Sequence, residues 1–110
     1  VIEKIICDYL SDKLGLVVLP EEPEEPMEEY VIVEKTGGGG KYIKNSTIAI
    51  KSYSLSLYLA AMLNEKVKDE MNKIVELDEI SSVELNSDYN FTDKSRKKYR
   101  YQAVYELIHY

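Results

Sequence analysis

The first residues to invite a chemical reading are Gly37, Gly38, Gly39 and Gly40, followed by Lys41. A glycine run ending in lysine suggests a loop whose backbone amides cradle phosphate. Such a loop needs a glycine, four residues, then Gly-Lys-Ser/Thr, set between a strand and a helix. Here Lys35 stands in the first glycine's place and Tyr42 follows Lys41. The residues beyond Tyr42 alternate like a strand, so no helix N-terminus would face a phosphate. Metal chemistry fares no better, because ligands must cluster at set spacing. The one histidine, His109, and the one cysteine, Cys7, lie at opposite ends of the chain. Asp78 and Glu79 are adjacent and diverge on a strand or loop. The glutamates between residues 21 and 29 offer oxygen ligands but lack the fixed turn of a calcium loop. Nucleophilic catalysis wants a base beside a serine or cysteine. His109 reads instead as a histidine on a half-exposed strand end, and Cys7 as a small core filler. Acids are plentiful enough for a glycosidase pair, but nothing singles out two of them. No catalytic residue, cofactor or metal is expected.

Charge is the stronger signal. The net charge is −6, the wrong sign for sequence-independent binding to nucleic acid. It is also segregated. Residues 21 to 29 carry six glutamates, among them Glu21, Glu22, Glu24 and Glu25, and no positive charge. Residues 94 to 100 carry Lys94, Arg96, Lys97, Lys98 and Arg100 and no negative charge. The basic run, interleaved with Tyr99 and Tyr101, has three readings. It stacks on nucleic acid, it is an edge strand kept soluble by charge, or it meets the acidic arm of a neighbouring copy. The arm itself, with Pro20, Pro23 and Pro26 at every third residue, is either a solvated connector or a segment that docks on a basic surface. These two charged stretches and Gly37 to Gly40 are the candidate interaction residues.

These segments must be held by a scaffold. Ile2, Ile5, Ile6, Tyr9, Leu10 and Leu14 recur at helical spacing, and Gly15 sits at the C-cap position, predicting a helix over 2–14. Leu16 to Leu19 predict a short strand. Glu29 to Tyr53 predicts a hairpin with a mobile glycine tip. In its first arm Val31 and Val33 face one way and Tyr30 and Ile32 the other; in its second, Ile48 and Ile50 oppose Thr47, Ala49, Lys51 and Tyr53. A second helix is predicted from about Ser54 to Ile74, capped by Ser54 or Ser56. Its stripe of Leu55, Tyr58, Leu59, Met62, Leu63, Val67 and Met71 reads as core, with Asn64 on the other side and Lys66–Glu70 and Asp69–Lys73 as paired charges. Strands follow over Ser82 to Tyr89, with Val83, Leu85 and Tyr89 inward and Asp88 outward, and over Lys97 to Tyr110. The expected fold is α+β in the order α-β-β-β-α-β-β. A mainly antiparallel sheet of about five strands carries both helices on one face.

A chain of 110 residues suits one domain, residues 1–110, with an ordinary apolar share. No apolar run approaches the roughly 20 residues of a membrane helix. The first helix is charged throughout, unlike a signal peptide. A single cysteine excludes an internal disulfide and fits a reducing compartment.

Taken along nearly its whole length, the sequence resembles the small tail-terminator or tail-completion proteins of long-tailed phages and prophages, also known as minor capsid or head-tail joining proteins. The segments that carry the resemblance are the opening Ile2-Glu-Lys-Ile-Ile-Cys-Asp-Tyr-Leu, then Glu29-Tyr-Val-Ile-Val-Glu-Lys-Thr-Gly-Gly-Gly and Ser52-Tyr-Ser-Leu-Ser-Leu-Tyr-Leu-Ala-Ala. They continue with Ser82-Val-Glu-Leu-Asn-Ser-Asp-Tyr-Asn-Phe-Thr-Asp and Tyr99-Arg-Tyr-Gln-Ala-Val-Tyr. None is a chemical motif, and their number and order carry the likeness. Cys7 departs from it, standing where tyrosine is more typical. The resemblance implies a virion-assembly protein that is not an enzyme. Made in the bacterial host cytoplasm, it forms a ring, commonly a hexamer, at the head-tail interface of the virion. Its implied partners are its own copies, the tail-tube protein and head-connector proteins, with no sequence-specific nucleic-acid binding and no membrane. An acidic chain also suits a channel through which DNA passes without sticking. The other reading of the same residues is a small non-enzymatic binding or regulatory domain that takes a peptide or protein at a sheet edge.

Overall fold

The computed structural model describes residues 1–110. Helix α1 spans Ile2–Leu14 and β1 is the short Val18–Leu19. The hairpin is β2 (Tyr30–Gly39) and β3 (Lys44–Ser54). Helix α2 (Leu57–Met71) leads through a 3-10 turn, Ile74–Glu76, into β4 (Ile80–Asn90) and β5 (Tyr99–His109). This is the expected α+β order. The five strands lie as β1-β2-β3-β5-β4, with both helices packed on the sheet.

The helix-covered face holds the core. Val31, Val33, Ile48, Ile50, Ala103, Tyr105 and Leu107 point to it, in the alternation the sequence prescribes. Ile2, Ile6 and Leu10 of α1 and Leu63, Val67 and Met71 of α2 close over them, and Cys7 is buried among them. Tyr9 ties the helices together by donating its hydroxyl to the Glu70 carbonyl at 2.9 Å. Gly15 ends α1 in the left-handed conformation at φ 66°, where glycine alone carries no steric penalty. Ser56, one of the two predicted caps, accepts the Leu59 amide at 3.1 Å, a contact worth roughly 1 kcal/mol.

Several details depart from the sequence reading. β1 runs parallel to β2. The arm between them carries the chain back alongside β1, and the other three pairings are antiparallel, so the sheet is mainly antiparallel as expected. The glycines are not the hairpin tip. Gly37, Gly38 and Gly39 pair with Thr47, Ser46 and Asn45 after a bulge at Thr36, and the turn itself is Gly40 to Ile43. A Cβ on Gly38 would strike the Asn45 carbonyl, and one on Gly40, at φ 98°, would strike that of Ile43. These glycines allow close backbone approach as well as a turn.

On β4 a bulge between Leu85 and Ser87 shifts the register by one residue. Side chains beyond it change faces. Asp88, expected outward, therefore turns to α2 and accepts from Asn64 at 3.3 Å and Lys68 at 3.2 Å. Tyr89, expected inward, lies on the open face, where Gln102 donates to its hydroxyl at 2.5 Å. Asn64, expected on the outer side of α2, is buried. Lys68 pairs with Glu65, and Lys73 with Glu70, at i, i+3 spacing instead of the two predicted i, i+4 pairs.

Candidate functional site

His109 and Ser46 form the one pairing of a nucleophile type with a base. Their Oγ and Nε2 atoms are 2.7 Å apart. The histidine is not on a half-exposed strand end: it is 5 % exposed and Ser46 is 0 % exposed. With its proton on Nδ1, the ring can donate to the Tyr110 carbonyl at 3.2 Å and accept from Ser46. A hydroxyl sealed under packed strands cannot reach a substrate carbonyl, so the pair satisfies two buried polar groups. No three of the His, Cys, Asp and Glu side chains gather where they could hold a metal ion.

The predicted interaction residues fall into two regions. The first lies where the hairpin begins. Tyr30 and Tyr53 sit opposite one another on β2 and β3, on the face away from the helices. Their rings stack at 4.4 Å between centroids. The arm from Pro20 to Glu29 crosses this open face. Glu22 accepts from Tyr53 Oη at 2.7 Å and from Tyr30 Oη at 3.2 Å, and faces Lys98 Nζ at 3.9 Å. Arg100 closes the cluster. Its guanidinium donates to Tyr53 Oη at 2.9 Å and to the Phe91 carbonyl at 2.6 Å, and lies 4.4 Å from the Phe91 ring centre. Glu22 and Arg100 thus share one phenol. Burial is the main force pushing up both tyrosines: Tyr53 reaches about 12, with the Glu22 bond adding to the rise and Arg100 opposing it. Tyr30 is raised by burial and then by the nearby Glu22 charge.

So the acidic arm docks on the basic segment of its own chain. The basic run is also not an edge strand, because β5 lies between β3 and β4. Lys94, Arg96 and Lys97 sit in the β4–β5 turn, before β5 begins at Tyr99. Asp93 organises that turn by accepting from the Ser95 hydroxyl at 2.7 Å and from the Ser95 and Arg96 amides. Those bonds, the Ser95 hydroxyl first, hold its carboxyl below the usual carboxylate range. Lys97 takes a left-handed φ of 54°.

Between the docked arm and this turn opens a cleft of about 560 Å³. Met27 and Leu55 give it apolar surface, over the buried Tyr30 and Tyr53. Glu24, Glu25 and Glu28 line the arm side, and Lys97 and Lys98 the other. Leu55 continues outward into α2. The start of the expected stripe is not buried: Leu55, which precedes the helix cap Ser56, is 61 % exposed, Tyr58 in the first turn is 72 %, and Leu59 and Met62 are also exposed. Spacing put these residues on one side of the helix but could not say whether anything covers it. With 3.6 residues per turn, Tyr58 and Met62 lie on the side of α2 opposite the line that meets the sheet, which is Ala60, Leu63, Asn64, Val67 and Met71.

The second region is the far end of the hairpin. Tyr42 is 82 % exposed and Ile43 60 % exposed at the turn that follows Gly40. Lys41 and Lys44 flank them along the chain, and residues 35 to 48 contain no acid. The sequence reading singled out the glycines here and missed this apolar pair. Its signal was two large apolar residues inside a turn. Comparison with models of known protein families finds no match, and comparison with curated proteins finds none either. Function is therefore inferred from these surfaces and from the segments quoted above.

Proposed function

We propose that this chain is a structural assembly subunit that joins its own copies into a ring, and that the ring ends the growth of a phage tail tube and presents a surface to the head. The observation that carries this reading is the uncovered apolar stripe of Leu55, Tyr58, Leu59 and Met62. Contiguous apolar surface of this kind marks contact with another protein. The cleft beside it and the apolar hairpin turn add surfaces of the same character at opposite ends of one molecule. A contact between unlike patches of identical chains is heterologous, and it gives a ring when the rotation closes. The resemblance to tail-terminator proteins supplies the ring's place in the virion. Peptide capture at a sheet edge finds less support. The long edge strand β4 carries two bulges, between Ile80 and Ser82 and between Leu85 and Ser87, which interrupt the hydrogen-bonding run an added strand would use.

The test is tube length. A tail-tube protein of a long-tailed phage is polymerised with increasing amounts of the purified chain, and tubes are measured by electron microscopy. Tubes are expected to shorten with dose and to carry a ring at one end. A length distribution that does not change at any ratio contradicts the proposal.

A further inference from the structure

We infer that the hairpin turn of one copy, Tyr42 and Ile43, inserts into the cleft between the acidic arm and the β4–β5 turn of the next copy. This contact rests on the self-assembly reading above. The two regions cannot meet within one chain. The cleft lies where Tyr30 pairs with Tyr53, and the turn lies beyond the pairing of Gly39 with Asn45. From residue 30 to residue 39 an extended strand covers roughly 30 Å at ~3.3 Å per residue. The molecule's longest dimension is 42 Å, so turn and cleft stand at opposite ends.

Their chemistry is complementary. The turn offers one aromatic and one branched apolar side chain, both largely exposed. The cleft offers the exposed side chains of Met27 and Leu55, and its volume of about 560 Å³ falls within the ~300–1,000 Å³ range of pockets that enclose inserted groups. Lys41 and Lys44 flank the turn, and Glu24, Glu25 and Glu28 form one wall of the cleft. That pairing sets the orientation: the turn's lysines lie against the arm and away from Lys97 and Lys98, of which Lys98 already faces Glu22.

The experiment is a charge swap read by light scattering over a concentration series at ~0.1 M salt, where exposed charges still act over about 10 Å. Every substituted side chain is exposed, so melting curves should stay those of the wild-type chain. The K41E/K44E change and the E24K/E25K/E28K change should each weaken self-association by about tenfold or more. The two sets combined should recover most of it. Y42S/I43S should weaken association at least as much. If the wild-type chain assembles but the combined charge sets show no recovery, or Y42S/I43S assembles as wild type does, the turn-to-cleft contact is wrong and assembly itself stands. If E24K/E25K/E28K leaves self-association intact and abolishes only the shortening of tubes, the cleft belongs to the tube protein and the inference is overturned. A wild-type chain that stays monomeric overturns both.

Discussion

At pH 11 the folded chain should have lost roughly 5 kcal/mol of the stability it has at pH 8, through four tyrosines alone. Tyr9, Tyr30, Tyr53 and Tyr105 are all at most 7 % exposed. Burial is the leading cause of each shift and disfavours the phenolate. Tyr9 and Tyr53 are pushed up to about 12, and Tyr30 and Tyr105 are raised as well. The folded state therefore keeps protons that the unfolded chain gives up near pH 10. Their contribution is complete below pH 10 and is lost as pH rises through the folded-state values. Each phenol held protonated one unit above its unfolded value costs about 1.4 kcal/mol, and a domain this size has only about 5–15 kcal/mol in all. Urea melts at pH 8, 10 and 11, with tyrosinate absorbance followed in parallel, check this. The midpoint should fall steeply only above pH 10, and part of the tyrosinate signal should appear together with unfolding. A midpoint that is flat to pH 11 would show that these hydroxyls are not sequestered.

Replacing Glu22 by alanine should destabilise the molecule by about 2 kcal/mol and release the arm. The carboxylate accepts two hydroxyl bonds from Tyr53 and Tyr30 and faces Lys98. Bonds to a charged acceptor contribute about 1.5–3 kcal/mol each when buried, and half-exposure of this side chain reduces that. Glu24→Ala and Glu25→Ala serve as controls. Both residues are exposed, and changes at such positions stay within about 0.5 kcal/mol. Hydrogen exchange of the arm gives the second readout, because loss of the Glu22 bonds should raise exchange locally before global unfolding. If all three substitutions behave alike, the arm is not held through Glu22. The outcome also bears on assembly, since the docked arm forms one wall of the cleft.

Much of this fold was legible from periodicity. The 3.6-residue pattern of Ile2, Ile6 and Leu10 with Gly15 behind it located α1 to the residue, and alternation sorted β3 and β5 onto the correct faces. Misreadings came where one inserted residue breaks a period. The bulge before Ser87 exchanged Asp88 and Tyr89 between faces, and nothing in the local composition marks it. The glycine run misled for a related reason. Gly38 is needed where backbones approach closely, as well as where a chain turns.

The candidate surfaces were legible as charge, not as geometry. Composition separated the glutamate arm from the basic run, but only the parallel return from β1 to β2 brings Glu22 onto Tyr30 and Tyr53 of the same chain. Sequence spacing likewise placed Leu55, Tyr58, Leu59 and Met62 on one side of a helix. The side that meets the sheet is the line Ala60, Leu63, Val67 and Met71, and the apolar pattern is broad enough that spacing alone did not separate that line from the outward Tyr58 and Met62. The Tyr42–Ile43 turn went unread because the glycines beside it drew the hairpin tip one step too early.

Ring formation requires self-association through unlike ends of one chain. Sedimentation velocity of the wild-type protein from low micromolar to near-millimolar concentration tests this most directly. A single closed species of defined stoichiometry should grow in at the monomer's expense, with no open-ended series above it. A strict monomer across that range, with and without the tube protein, would contradict it.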